Sequence, residues 1–393
     1  MTGDRPPHVG QRVAYFRGIA RPRLTQTELA ERAGVALGTV RKIERGERRS
    51  PSTAVLEALA DALGVDVPRL LGEHTVIDPV RDALPSVSAA IATYDVPDDG
   101  PVRPLDELAT LVDACVQWRV GAQYLRIART VPALLPELAR AVHTGPDPRR
   151  AAGLLVAAYR SADAAAYKYG SRDLSARLID LMRWAAARAE DPLVAASVAY
   201  VRTETFFAAR AHTAGLRALE VALDAAPAPG DRPAAAARGA LHIRAAVIAA
   251  RAGAADTAQQ HLADAEQLAA DLPEGVYGGT AYGMASVRAH QVSVAIALGQ
   301  DHVGDALAVA RRWAPPADMP AERRSGFYID LARAQLWAGQ PDHAVESLAA
   351  ARRIAPLHTR EHPWVRHDIA TIRRLLRGPA PEVTAFAEWC RAT

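Results

Sequence analysis

Between residues 37 and 49 the chain carries Thr39, Arg41, Lys42, Arg45, Arg48 and Arg49, interleaved with Val40 and Ile43. Two branched apolar side chains three residues apart form the buried seam of a helix, and the remaining positions then face away from the core. Leu37, Gly38, Thr39, Arg41, Lys42 and Arg45 fall on that outward face, with Arg48 and Arg49 just beyond it. Guanidinium and ammonium groups gathered in this way suit the phosphates and base edges of duplex DNA. A lone basic helix is more often a solvated surface than a reader of DNA, so the neighbouring elements must decide.

Those neighbours are specific. Thr25 and Glu28 make a Thr-x-x-Glu capping box, which satisfies two orphan amides and stabilises a helix start by about 1 kcal/mol. Leu29, Ala30 and Ala33 follow at helical spacing, Gly34 provides a tight turn, and Val35 re-enters the core. Ala30 is small enough for a close helix crossing, so the two helices are expected to meet steeply, as a helix-turn-helix does.

The charge distribution agrees with this placement. Residues 1–72 hold twelve Lys or Arg against eight Asp or Glu, whereas the remainder is close to balanced, although the whole chain is formally only +3. The positive excess therefore lies in the segment that would meet a polyanion.

Residues 9–72 resemble the Cro/lambda-repressor-like (Xre) helix-turn-helix family. The resemblance rests on Leu24-Thr-Gln26, Glu28-Leu-Ala30, Ala33-Gly-Val35, Ile43-Glu-Arg-Gly46 and Leu59-Ala-Asp-Ala-Leu-Gly64. It implies five helices, over 9–20, 26–33, 37–45 and 52–63 with a short turn near Pro68. It also implies that Gln26, beside the Thr25 cap, binds a phosphate and braces the recognition helix. Leu37, Gly38 and Lys42 match base-facing positions, Arg45 matches a backbone-contacting one, and Glu44 matches a glutamate whose structural partner here would be Arg17. Three features depart from the family pattern. Ala36 stands where a Ser or Thr cap is usual; Leu37 and Gly38 cannot make bidentate bonds to bases; and the 18–24 loop is longer, adding Arg21 and Arg23. Direct readout would then rest on Thr39, Arg41 and Lys42, with strongly salt-dependent phosphate contacts supplying much of the affinity.

At 393 residues the chain is long enough for a small domain followed by a large one. The expected division is 1–72 for the helix-turn-helix, 73–104 for a proline-rich linker holding a short helix over 80–93, and 105–393 for helical repeats. Half the residues are apolar and only 5% are aromatic, with alanine prominent, which favours an all-α fold of close-packed helices. Gly253 with Ala258, Leu262 and Ala265 shares its offsets with Gly339, Ala344, Leu348 and Ala351; Gly299, Ala306, Ala310 and Trp313 repeat them with an insertion. Breaks near Gly121, Gly170 and Ala211 extend the series, predicting an α-solenoid of hairpins resembling tetratricopeptide repeats. The 105–377 region also resembles the helical tail of actinobacterial Xre-type regulators, through Tyr277-Gly-Gly-Thr-Ala-Tyr-Gly283 and the 354–366 segment. That resemblance supplies a class and no ligand.

The glycine- and tyrosine-rich 273–283 loop either lines a ligand pocket, with Tyr277, Tyr282, Arg288 and His290 as contacts, or simply connects two repeats. His358, His362 and His367 are expected at the surface rather than around a metal, because Pro363 interrupts their helix. Cys115 and Cys390 lie in no CxxC or Cys/His cluster, so neither a disulfide framework nor a zinc site is indicated. No signal peptide or membrane-spanning run is legible, which points to the cytoplasm.

No cofactor is called for, and enzymatic activity is not expected. The only lysines, Lys42 and Lys168, lie outside any Gly-x-x-x-x-Gly-Lys setting, and no His-Glu-x-x-His or Gly-x-Ser-x-Gly occurs. The expected function is that of a bacterial, sequence-specific DNA-binding regulator, homodimeric because one helix-turn-helix reads only a half-site. Its helical region would dimerise and sense a small molecule or peptide. The alternative is a protein-interaction scaffold whose N-terminal bundle does not read DNA.

Overall fold

The computed structural model describes residues 8–20, 22–47, 51–65, 67–71, 78–375 and 380–392. Arg21, Arg48 and Arg49 lie outside the described residues. The chain divides into two compact units, Met1–Asp82 and Ala83–Thr393.

In the first unit, α1 (Val9–Ile19), α2 (Gln26–Arg32), α3 (Leu37–Glu44), α4 (Thr53–Leu63) and α5 (Val67–Leu71) enclose one small core. The observed bounds lie within one residue of the sequence expectations for the first four helices. Val13, Leu29, Val40, Ile43, Leu59 and Leu70 are fully buried there, each contributing about 2 kcal/mol of apolar burial. Arg12 secures α1 to the last helix by donating from Nε to the Leu70 carbonyl at 2.8 Å. Helix α6 (Pro79–Ala90) contains the boundary between the two units and buries Val80, Leu84 and Val87.

The second unit is a succession of helical hairpins. Its pairs are α7 (Leu105–Val120) with α8 (Tyr124–Thr144), α9 (Pro148–Lys168) with α10 (Arg172–Ala189), and α11 (Pro192–Ala209) with α12 (His212–Ala225). Next come α13 (Arg232–Arg251) with α14 (Ala255–Ala269), α15 (Met284–Leu298) with α16 (Val303–Arg312), and α17 (Ala321–Trp337) with α18 (Pro341–Ile354). Helices α19 (Pro356–Glu361), α20 (Pro363–Leu375) and α21 (Pro381–Trp389) close the chain.

The alanines and leucines at the repeated offsets are the contacts within hairpins. Ala258, Ala265, Ala306, Ala344, Leu348 and Ala351 are fully buried, and Gly253 and Gly339 make their turns at φ +78° and +72°. Small side chains at these positions let the second helix of each pair lie close to the first.

The first helices of the pairs form an inner row. Helix α7 packs on α9, α9 on α11, α11 on α13, α13 on α15 and α15 on α17, and α17 returns to touch α7. A ring of six inner helices results.

One element departs from expectation. Residues 275–282 are not an irregular loop: β1 (Gly275–Tyr277) and β2 (Thr280–Tyr282) pair antiparallel through a two-residue turn at Gly278 and Gly279. Both glycines have positive φ, +52° and +74°, which a two-residue hairpin of this hand requires. Among the described residues no helix is long and apolar enough to cross a membrane. Cys115 and Cys390 are buried free thiols.

Candidate nucleic-acid interface and an interior polar cluster

The outward face of α3 is held in place from behind. Thr25 caps α2, its Oγ1 accepting from the Glu28 amide at 3.2 Å while the Glu28 carboxylate accepts from the Thr25 amide at 2.7 Å. Gly34, at φ +62°, turns the chain so that the Val35 amide closes onto the Ala30 carbonyl at 3.0 Å.

Helix α3 then leaves with Val40 and Ile43 inward and Gly38, Arg41, Lys42 and Arg45 exposed. Thr39 is half-buried. So is Leu37, which packs against the small core and has only part of its side chain free for a partner. A Cβ added at Gly38 would meet nothing, so that point of the face is open. Arg45 bends back to the Arg41 carbonyl and pairs with Glu47 at 3.3 Å, both well exposed, whereas Arg41 and Lys42 have no ion pair among the described residues.

The brace beneath this face is a three-residue polar knot. Arg17 of α1 donates from Nε and Nη2 to the two Glu44 carboxylate oxygens at 2.7 and 2.9 Å, and from Nη1 to the Leu24 carbonyl at 3.0 Å. Gln26 Nε2 adds a bond to Glu44 Oε2 at 2.6 Å. The start of α2, the end of α3 and the last turn of α1 thus share one carboxylate. Its hydrogen bonds hold the Arg17 proton more firmly than usual, against the opposing effect of partial burial.

Gly10 is a contributor that sequence reasoning missed. A Cβ there would lie 1.8 Å from the Ile43 carbonyl oxygen, so α1 approaches the end of α3 at backbone distance. No local pattern announces this contact, which joins residues 33 positions apart.

This geometry coincides with a family match. Residues 21–70 match the family model described as helix-turn-helix. The N-terminal unit carries a lambda-repressor-like helix-turn-helix domain. A curated relative, the immunity repressor protein of Bacillus phage phi105, is 44% identical over 69 residues, or 18% of this chain. The chain spans just under half the length of that relative, at 46%. No solved structure matches the chain.

In the second unit the four side chains offered as ligand contacts do not converge. Tyr282 is fully buried; its hydroxyl donates to the Ala265 carbonyl at 2.6 Å, and its ring occupies the space that a side chain at Gly239 would need. Tyr277 bonds within its own loop, to the Pro273 carbonyl at 2.8 Å. Arg288 is exposed, and His290 is buried with both ring nitrogens engaged, at Ser286 O and Arg323 Nη1. The hairpin contributes instead through its backbone. The Gly278 carbonyl accepts from Arg160 Nη1 at 3.0 Å, the Gly279 carbonyl accepts from Arg119 Nη2, and Thr280 Oγ1 accepts from Arg160 Nη2 at 2.7 Å.

These bonds open onto a polar cluster inside the ring of inner helices. Arg119 comes from α7, Arg160, Asp163 and Lys168 from α9, Tyr200 and Glu204 from α11, Arg244 from α13, and Glu322 and Arg323 from α17. Arg244 stacks over the Tyr200 ring at 4.2 Å, while Arg323 donates to the Tyr200 hydroxyl at 3.3 Å. Lys168 pairs with Glu322 at 2.7 Å, and Arg244 reaches Glu204 at 3.6 Å. Burial alone would raise the Tyr200 hydroxyl, but Arg244, Arg323 and Arg160 overcome it and bring its pKa down to about 7. Burial drives Asp163 the other way, well above the usual carboxyl range, with Ser175 donating to it at 2.6 Å.

The C-terminal histidines correct another expectation. His358 is buried rather than at the surface, because its ring bridges Lys168 Nζ at 3.1 Å and Ser325 Oγ at 2.6 Å. Lysine only donates, so Nε2 accepts and Nδ1–H donates to Ser325; burial and then Lys168 push this imidazole down to about 3, keeping it neutral. His362 packs edge-to-face against His358, and only His367 is exposed. Among the described residues, His242, His261 and Asp264 share metal-ligand spacing, with the two imidazoles 3.0 Å apart. A hydrogen bond between the two neutral rings accounts for that contact, since burial and then His261 lower His242 to about 4.

Proposed function

We propose that the chain is a sequence-specific DNA-binding transcriptional regulator, acting in the cytoplasm as a homodimer. The observation that carries this reading is the Arg17–Glu44–Gln26 knot, which fixes α3 with Arg41 and Lys42 free and exposed. In the major groove, α3 would place Thr39, Arg41 and Lys42 toward base edges and Gly38 closest to the duplex. Arg45, Arg48, Arg49 and the Thr25–Gln26 end of α2 would meet phosphates. The phi105 immunity repressor supports the same reading by name and by its likeness over the helix-turn-helix.

The hairpins of the second unit, read as tetratricopeptide-like repeats, would dimerise the chain and sense an effector. One recognition helix covers a half-site, so two heads held about 34 Å apart are required for useful affinity. An effector that favours one arrangement of the hairpins shifts that spacing, by no more than its difference in affinity for the two arrangements.

Selection of genomic fragments by the purified chain, followed by mobility shifts at two salt concentrations, tests the proposal. A selected duplex should be retained, with affinity falling steeply as salt rises. The Arg41→Glu/Lys42→Glu variant should lose that retention. Equal binding of all fragments, or unchanged retention by the charge-reversed variant, would refute it.

A further inference from the structure

We propose that the interior of the helical ring, at Arg119, Arg160, Arg244 and Arg323 around Tyr200, binds a small anion carrying two or more negative charges on carboxylate or phosphoryl groups. This deepens the reading of the second unit as a sensor and rests on it.

Charge balance is the first argument. Arg119, Arg160, Lys168, Arg244 and Arg323 share the interior with the carboxyl groups of Asp163, Glu204 and Glu322, and burial and then the nearby Glu204 shift Asp163 well above the usual carboxyl range, which weakens it as a counter-ion. Buried cations normally come with matching anions, because desolvating a charge without a partner costs several kcal/mol. Here Glu322 is taken by Lys168 and Glu204 lies against Arg244, which leaves Arg119, Arg160 and Arg323 facing carbonyls, hydroxyls and an imidazole. The depressed Tyr200 phenol agrees with this excess of cations: Arg244, which Glu204 only partly answers at 3.6 Å, and then Arg323 and Arg160 draw it toward ionisation against the effect of burial.

Geometry supplies the second argument. Arg119 and Arg160 are 8% and 6% exposed, and both approach Gly279, where an added Cβ would lie 2.9 Å from one guanidinium and 3.5 Å from the other. Burial and then the neighbouring Arg119 charge make the Arg160 cation costly, lowering its pKa to about 9, a cost that acceptors around the pair offset. Arg119 Nε, Arg244 Nε and the Tyr124 hydroxyl are buried with no hydrogen-bond partner among the described residues.

Solvent still reaches part of the cluster. Lys168, Glu322, Arg244 and Glu204 keep 23%, 25%, 19% and 16% of their side-chain surface accessible, although they come from inner helices packed in a closed ring. Planar guanidinium forks of this kind match carboxylate and phosphoryl oxygens two at a time.

The test uses the full chain without DNA, titrated calorimetrically at fixed ionic strength with inorganic pyrophosphate, citrate and succinate. At least one probe should give a saturable heat, weakened tenfold or more in Arg244→Gln. Because that variant could fold poorly, the wild-type chain gives a second readout. At pH 8 the bound anion should return Tyr200 to its neutral form, with a saturable loss of phenolate absorbance near 295 nm that Tyr200→Phe abolishes. No saturable heat or absorbance change with any probe up to ~10 mM, weaker than any useful sensor, overturns the proposal. So does a heat that a folded Arg244→Gln leaves unchanged. DNA retention is measured separately, so a chain that binds the anion but no duplex would refute the regulator reading and leave this one standing.

Discussion

Arg17 and Glu44, 27 residues apart, meet through two parallel hydrogen bonds of 2.7 and 2.9 Å, and the glutamate side chain is only 6% exposed. Removing the arginine would leave a nearly buried carboxylate with Gln26 as its remaining side-chain partner. Arg17→Ala should therefore destabilise the first unit by about 3 kcal/mol, read by denaturant unfolding. Arg17→Lys should recover little, because one ammonium cannot reproduce the paired bonds to Glu44 together with the bond to Leu24.

Gly10 offers a second test of the same corner. A methyl group there would overlap the Ile43 carbonyl, a backbone atom that cannot rotate aside. Gly10→Ala should cost about 3 kcal/mol or more, although alanine is the better helix former. A stability equal to or above wild type would mean that α1 does not approach α3 so closely.

At Gly38 the expectation reverses. The position is exposed, helical and open, so Gly38→Ala should stabilise the free chain by up to about 1 kcal/mol. If α3 enters the groove as proposed, the same methyl group should weaken retention of the selected duplex. Higher stability with unchanged DNA affinity would place the contact elsewhere on the helix.

Legibility differed between the two units for a physical reason. The helix-turn-helix could be read because its determinants are local: Thr25 caps toward Glu28, Gly34 turns, and Val40 and Ile43 are one helical turn apart. The repeated glycine and alanine offsets were likewise visible, since each hairpin packs on itself. The Tyr-Gly-Gly-Thr turn carried a legible hairpin signal in its paired glycines, masked by the helical pattern on either side. Gly10 and the interior cluster were not readable. The cluster draws one to three polar residues from each of five helices dispersed between Arg119 and Arg323, and on any one helix such residues look like solvated positions. Only closure of α17 onto α7 turns those positions inward.

That closure makes a pH prediction. Tyr200 ionises near pH 7 in the folded chain, against about 10 when unfolded, so its folded pKa is depressed. The unfolded state holds the phenolic proton over this interval and the folded state does not, and stability from this group therefore grows as pH rises from 7 to 10. It is fully present above 10 and is lost as pH falls through 7. Tyr200→Phe, which keeps the ring beneath Arg244 and removes the titrating group, should flatten this rise. The check is the difference between wild-type and variant unfolding free energies at pH 6.5, 8 and 9.5. A gap that widens with pH places the phenolate among the arginines, and a constant gap would show that Tyr200 titrates as an ordinary tyrosine.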